Sequence, residues 1–518
     1  MSRLFAAVRP ALPRPERGRT GRPDQAAGPD APGGVGGRRA GGGPVLVLAG
    51  LIAAYVAVFG SLTWAQQSNY GTFGFDMGIY DQGIWLLSRF EEPFVTVRGL
   101  NYFGHHVNPI TLLFVPAYWL GAGPHFLYLT ETVWMALGAV PVWLLARDRL
   151  ANRWTALVLA AAYLLYPSLE WINWWHFHPD ALIITPLLFA YWLATRERWW
   201  WFAVAVAVAL LCKEDAALAV LALGVLLAVR GQRRAGLWTA LAGVAWFALA
   251  TKVVIPRANG GIGPLYEDLF PAFGGSVGEI VWNVVRHPGR VLSLAAQPDR
   301  LGYYTQLLAP LAFLPLAALP VLLIGGPQLA VNVISGHGLT HDIRYHYTSV
   351  VIAAAFLATV EACAWLGRRP GRQRFLVGLV AATSLAANVA WSPSPIGADF
   401  RSGIWASPQA KHASVNRALR LVPARAGVSA SYSLVPHLTH RVHIYEFPNP
   451  WQVTNWGVRG ENPPDPGAVD YLVLDTSLNG TQQPLYERLT GPSGGFEVVF
   501  ASDGIVVAKR ARAGPAPG

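Results

Sequence analysis

The stretch from Val45 to Ala65 carries no charged residue and is long enough to cross the roughly 30 Å hydrocarbon core of a bilayer. Further runs of the same character follow at about 125–146, 153–170, 180–195, 199–212, 215–230, 235–255, 302–318, 320–336, 347–366 and 375–391. A backbone in lipid has no water to bond to, so each run must satisfy its N–H and C=O groups internally, as a helix. The charge content agrees: only 13% of residues are charged and 53% are hydrophobic, against about 25% charged in a typical soluble protein. A soluble enzyme of 518 residues would need more charge to cover its surface. The sequence therefore predicts an all-α polytopic membrane protein with about 11 transmembrane helices.

Arginine placement orients these helices. Of 40 basic residues, only Lys213, Lys252, Lys411 and Lys509 are lysine. The tail and the segments Arg147–Arg153, Arg196–Arg198, Arg230–Arg234 and Arg368–Arg374 hold 20 Arg against five acidic residues. Placing them inside puts the N-terminus in the cytoplasm and the C-terminus outside, in a bacterial cytoplasmic membrane. Pro109–Leu120 is then too short to cross and is read as an interfacial helix in an outer loop, 66–124. All 13 histidines fall on or near the outer side, so any site faces outward. Nucleic acid is not expected as a partner, because half the basic charge lies in the inner segments. Cys212 and Cys363, both in apolar surroundings, form no disulfide framework.

Both ends of the chain differ from the middle. Residues 1–43 are rich in Gly, Pro and Arg without apolar periodicity, and read as a disordered basic cytoplasmic tail. The membrane domain spans 44–392. From 393 to 518 an amphipathic helix (411–421) and short β-rich runs predict a small extracytoplasmic α/β domain. Asp503-Gly504 between its last two runs is a hairpin signal.

Four polar segments interrupt the apolar pattern. The first is Phe75-Asp76-Met77-Gly78-Ile79-Tyr80-Asp81-Gln82, followed by Gly104-His105-His106-Val107-Asn108-Pro109. A carboxylate just past the first span sits at the water–lipid boundary, where it can take a proton from a polar substrate. Asp76 is thus either a general base or the N-cap of a surface helix running from Met77 to about Phe90. Asp81 reads as structural or substrate-contacting. The second segment is Trp174-Trp175-His176-Phe177-His178-Pro179-Asp180. His176, His178 and Asp180 have metal-donor chemistry but lack an adjacent third strong ligand, so a divalent metal is not favoured and no cofactor is identified. A polar role toward sugar or phosphate, or an aromatic interface belt, fits the same residues. The third is Lys213-Glu214-Asp215, which breaks an apolar hairpin and forms either a surface loop or the polar floor of a cavity. The fourth is His337 to Tyr347, in which His341 is a candidate contact and Arg344 a candidate phosphate clamp. Glu131 is read as the one clear intramembrane acid, needing a partner.

The runs FDMGIYDQ, HHVNP, WHFHPD and LCKED resemble a family of bacterial predicted membrane proteins of unknown function, over about 44–390. The span pattern is similar to type C (GT-C) glycosyltransferases. That resemblance implies a GT-C-like membrane domain whose first outer loop carries an essential acid, matched by position to Asp76, and a polyprenyl-phosphate-linked sugar as donor to an extracytoplasmic acceptor. The sequence departs from subfamilies with paired adjacent acids, since Met77 follows Asp76. The expected function is sugar transfer, with Asp76 catalytic and Asp81, His105, His106, His176, His178, Asp180, Lys213, Glu214, Asp215, His341 and Arg344 binding substrate. The alternative is a non-catalytic transporter or lipid-handling protein with an outward-facing polar cavity.

Overall fold

The computed structural model describes residues 42–150, 152–264, 269–457 and 464–511. The tail read at 1–43 therefore lies, up to residue 41, outside the described residues. Five helices are long and apolar enough to cross a membrane: Gly43–Ser68, Pro124–Arg149, Arg233–Ala258, His346–Leu366 and Pro370–Trp391. Two bent pairs bring the number to seven if each is one crossing: Arg153–Leu164 with Pro167–Trp174, and Pro298–Leu311 with Leu314–Leu322. Pro179–Thr195, Trp199–Cys212 and Ala216–Val229 are apolar but shorter. At about 1.5 Å per residue, a 14-residue helix such as Trp199–Cys212 rises only about 21 Å. Length and composition thus support five to seven of the eleven crossings expected.

Proline and glycine set the boundaries. Proline occupies the first or second position of the helices starting at Gly43, Pro124, Pro167, Pro179, Pro298 and Pro370, where its missing N–H has no intrahelical partner to lose. The expected spans 302–318 and 320–336 are not straight helices. Ala312 and Phe313 adopt left-handed backbone angles (φ 51° and 56°) and turn the chain by 87°. Leu319–Leu322 and Gly326–Ile334 then follow as separate short helices. Pro310, Pro315, Pro320 and Pro327 remove the donors that a continuous helix would need.

Two polar layers close the bundle at opposite ends. At the arginine-rich end, Arg149 pairs with Glu361 at 3.0 Å, and Tyr191 donates to the same carboxylate at 2.8 Å. Arg230 donates to the Tyr191 hydroxyl at 2.8 Å, and Trp192 donates to Asp148 at 2.9 Å. The other end gathers Asp180, Lys213, Asp215 and His346. Helices Pro179–Thr195, Ala216–Val229 and His346–Leu366 each begin at the second layer and reach the first, so these three run in the same direction.

The outer loop and the C-terminal segment form one body over the second layer. Pro109–Phe114 and Val115–Trp119 are short helices with Leu112, Leu113, Trp119 and Leu120 exposed, as an interfacial element needs. Two further helices, Val277–Arg286 and Pro288–Ala295, expose Val281, Trp282, Val285 and Leu292 in the same manner. The C-terminal sheet contains β3 (Val428–Ala430), β4 (Ile444–Glu446), β5 (Tyr471–Asp475), β6 (Phe496–Ser502) and β7 (Ile505–Arg510), in the order β4-β3-β5-β7-β6. A two-stranded ribbon, β1 (Phe94–Val95) with β2 (Leu100–Asn101), lies in the outer loop. β3 pairs in parallel with β4 and β5, and β5–β7–β6 is antiparallel. Asp503 and Gly504 both take positive φ, as the hairpin signal predicts. Val428, Ala430, Ile444, Val473 and Val507 of one sheet face join the hydrophobic core of the bundle. Leu472, Leu474 and Ala508 of the other face pack with helix Gln482–Thr490. The sheet is therefore fused to the bundle through a shared core.

Candidate functional site

The FDMGIYDQ run forms a π-helical turn, Gly74–Gly78, that passes into helix Ile79–Ser88. Neither start has a side-chain cap, so the cap reading of Asp76 is corrected: the residue lies inside the turn with its carboxylate free of the backbone. Gly74 permits this turn to meet the C-terminal segment. Its N–H donates to the Tyr432 carbonyl at 2.9 Å. A Cβ at Gly74 would come within 2.9 Å of both Glu446 Oε2 and Val435 Cβ.

Asp76 Oδ1 lies 3.5 Å from His178 Nε2. The Nδ1 of His178 is 2.8 Å from the His176 carbonyl, which can only accept, so Nδ1 carries the hydrogen. In a neutral ring Nε2 would then be an acceptor facing a carboxylate. Glu131 supports the arrangement from within the bundle: its Oε1 accepts the His178 N–H at 3.0 Å, while its Oε2 is buried without a partner. The His178 ring stacks on His346 at 3.7 Å, and His346 lies 3.9 Å from Asp180. Asp180 accepts from Lys213 at 2.6 Å, and Asp215 is 3.6 Å from the same ammonium. A narrow crevice of about 10 Å³, the threshold for one water, runs between Asp180, Lys213, Asp215 and His346. Beside it, Glu214 binds His106 Nδ1 at 2.8 Å and the Val107 N–H at 3.0 Å, with His105 against His106.

Aromatic rings wall the Asp76 side. Phe73 stacks on Tyr432 at 4.3 Å and meets His176 edge-on at 4.6 Å. Trp175 stacks on His176 and meets Tyr345 edge-on at 4.6 Å. The His176 Nδ1 bonds Tyr128 at 3.0 Å, leaving its Nε2 buried without a partner.

Electrostatics separate the two carboxyls at this junction. Burial would raise Asp76, but the contact with His178 leads the opposing causes, so its carboxyl is held below the ordinary range. Burial and then the Asp76 charge push Glu446 up to about 7, and its Oε2 has no hydrogen-bond partner. Burial keeps His176 neutral, down to about 3. Two acidic groups whose surroundings drive them apart have the form of a base and an acid.

Most of the candidate residues thus come together: Asp76, His105, His106, His176, His178, Asp180, Lys213, Glu214 and Asp215. Three are engaged elsewhere. Asp81 is fully buried, where it accepts from Tyr118 at 2.6 Å and from the Thr439 hydroxyl, with His440 at 3.3 Å. It fastens the outer loop to the C-terminal segment. His341 bonds Asp299 at 3.0 Å. Arg344, half exposed, is held in a fork by Asp342 at 2.6 Å, although its neighbour Tyr345 belongs to the aromatic wall. Lys213 is not free to meet a phosphate, because two carboxylates already neutralise it where water is scarce. Glu131 is not the lone intramembrane acid: Glu170 is buried against Asn388 and Ser392, and Glu361 against Arg149. Among the described residues, no group of three or more His, Cys, Asp or Glu side chains is arranged to hold a metal.

Sequence reasoning missed Glu446 and Tyr432. Their only local signal is a polar residue on an otherwise buried β-strand and an aromatic one just past another, in a segment with no span pattern to place it.

The fold and site define a polytopic helical membrane protein whose C-terminal α/β segment packs over a polar cluster bordered by aromatic rings at one end of the bundle. The chain belongs to the family described as "Predicted membrane protein (DUF2079)", which matches residues 69–507. The match runs through the C-terminal sheet, well beyond the 44–390 over which the resemblance was read. No curated protein matches the chain significantly.

Proposed function

We propose that this protein transfers a sugar from a polyprenyl-phosphate donor to an acceptor hydroxyl at the polar cluster containing Asp76. Asp76 takes the acceptor's proton, and the acceptor oxygen bonds to the anomeric carbon. The bond from that carbon to the phosphate oxygen breaks with inversion, and the phosphate leaves with the electron pair. The observation that carries this reading is the pairing of Asp76 with His178 beside Glu446, inside a wall formed by Phe73, Trp175, Tyr345 and Tyr432. Apolar ring faces suit sugar faces, and His178 stands beside the carboxylate that takes the proton. Glu446, uncharged below about pH 7, is the hydroxyl-directed acid. Arg344 at the rim takes the phosphate by exchanging Asp342 for it, and Lys213 positions Asp180 and His346.

In this reading the bundle crosses eleven times in a GT-C-like arrangement, in a bacterial cytoplasmic membrane. The arginine layer faces the cytoplasm, and the polar cluster faces outward. The test is to incubate the purified protein in proteoliposomes with radiolabelled polyprenyl-phosphate sugars and follow loss of label from the lipid. Turnover with any donor supports transfer, and binding without turnover favours the second reading. That reading, an outward-facing binding protein or transporter, draws on the 87° break at Ala312–Phe313, since broken helices line substrate paths in transporters.

A further inference from the structure

Helices Ala216–Val229 and Arg233–Ala258 are packed backbone to backbone. A Cβ on Gly224 would lie 2.5 Å from the Ala240 nitrogen, and one on Gly236 would lie 2.4 Å from the Ala228 nitrogen. Such close approach needs small residues. It draws the start of Arg233–Ala258 toward Ala216–Val229 and away from Trp199–Cys212. Trp246 joins the last two only near the polar cluster, where its indole donates to the Lys213 carbonyl at 3.4 Å. Between them lies a lateral groove of about 760 Å³ that runs from Glu197, Arg233 and Arg234 at the arginine end to Leu210 and Ala242. One wall is Trp199, Phe202, Val206 and Leu210, at helical spacing, and Trp238 stands on the other. Arg233 and Arg234 stand exposed at the open end, with no carboxylate partner among the described residues. Glu197 is the one acid on the lining, and no residue caps the first turn of the helix that Arg233 begins.

We infer that this groove is a binding site for an anionic membrane phospholipid, its acyl chain lying between Trp199–Cys212 and Arg233–Ala258 and its phosphate held by Arg233 and Arg234. Charge complementarity selects the occupant. Two guanidinium groups with no carboxylate partner among the described residues and a helix N-terminus without a side-chain cap stand together on one part of the lining, and the rest of it, of small-molecule size, is mostly apolar. The site lies at the opposite end from Asp76 and does not depend on the proposed sugar transfer.

The test uses the full chain in nanodiscs of equal phosphatidylglycerol and phosphatidylcholine, with retained lipid counted by native mass spectrometry after detergent release. The wild type should retain phosphatidylglycerol in preference, by about fivefold for each arginine engaged. The double variant Arg233→Gln/Arg234→Gln should lose that preference. Ala207→Trp, which fills the groove without touching the arginines, should lower retention of both lipids. Retention at the bulk ratio in the wild type would overturn the inference, as would a preference unchanged in the double variant. A self-association that Ala207→Trp abolishes would also overturn it, because the occupant would then be a second copy of the chain.

Discussion

The imidazole of His178 meets the carboxylate of Asp76 at 3.5 Å and joins the segment after helix Pro167–Trp174 to the turn after helix Gly43–Ser68. If Asp76 is the base of the proposed transfer, Asp76→Asn keeps the shape of the turn but cannot accept a proton. Turnover should fall by about 10²–10⁴-fold with insertion, folding and donor binding intact. The assay is donor consumption in proteoliposomes, or complementation of a deletion strain. An Asn variant with full activity would falsify the base role.

Glu446 should make stability depend on pH. Its folded value, about 7, lies above the ordinary 4.5. For an acid raised in this way, the contribution is fully present below about 4.5 and is lost as pH rises through about 7, on the order of 3 kcal/mol in total. Glu446→Gln is neutral throughout, so the difference in thermal stability between variant and wild type should grow from pH 5 to pH 8. His176, held neutral, contributes in the opposite sense and cancels in that difference. A difference that stays flat would show that the Glu446 carboxyl is not forced to stay protonated.

Asp81 should matter for docking. Asp81→Ala leaves the Tyr118 hydroxyl unpaired in a buried place and the Thr439 hydroxyl with only its bond to the Pro436 carbonyl at 3.3 Å, at a cost on the order of 2 kcal/mol. Limited proteolysis in detergent should release the C-terminal segment faster from this variant than from wild type. Equal rates would mean that the shared hydrophobic core alone holds the two parts together.

Lys213→Met should destabilise by about 3–5 kcal/mol, because Asp180 and Asp215 would lose their buried cation. Adding Asp180→Asn to that variant should recover part of the loss, which thermal unfolding would detect. A phosphate-binding lysine with no structural duty would instead leave the melting temperature unchanged.

The arginine pattern predicts sidedness. Cysteines placed at Gly263 and Gly480 should react with a membrane-impermeant thiol reagent on spheroplasts, and one at Gly371 should not. All three positions have open space for a side chain and ordinary backbone angles, and the native Cys212 and Cys363 are buried. Labelling at Gly371 alone would reverse the orientation.

The sequence by itself determined the helical, lipid-facing character of the chain. Apolar runs such as Val45–Ala65 leave the backbone no other choice. It also determined the Asp503-Gly504 hairpin, because local φ preferences decide that turn. Apolar length did not disclose the break within 302–336, where the left-handed Ala312 and Phe313 and four prolines interrupt the helix. Tertiary structure alone decided the partners of the polar residues. Periodicity says which face of a helix is buried but not which distant charge it meets, and a buried carboxylate can be satisfied by any of several cations or donors. Asp76 therefore found His178, Lys213 was claimed by Asp180, Arg344 by Asp342, and Asp81 became a fastener. Glu446 came to face Asp76 only because the sheet shares its core with the bundle, a contact between segments some 370 residues apart that no local pattern records.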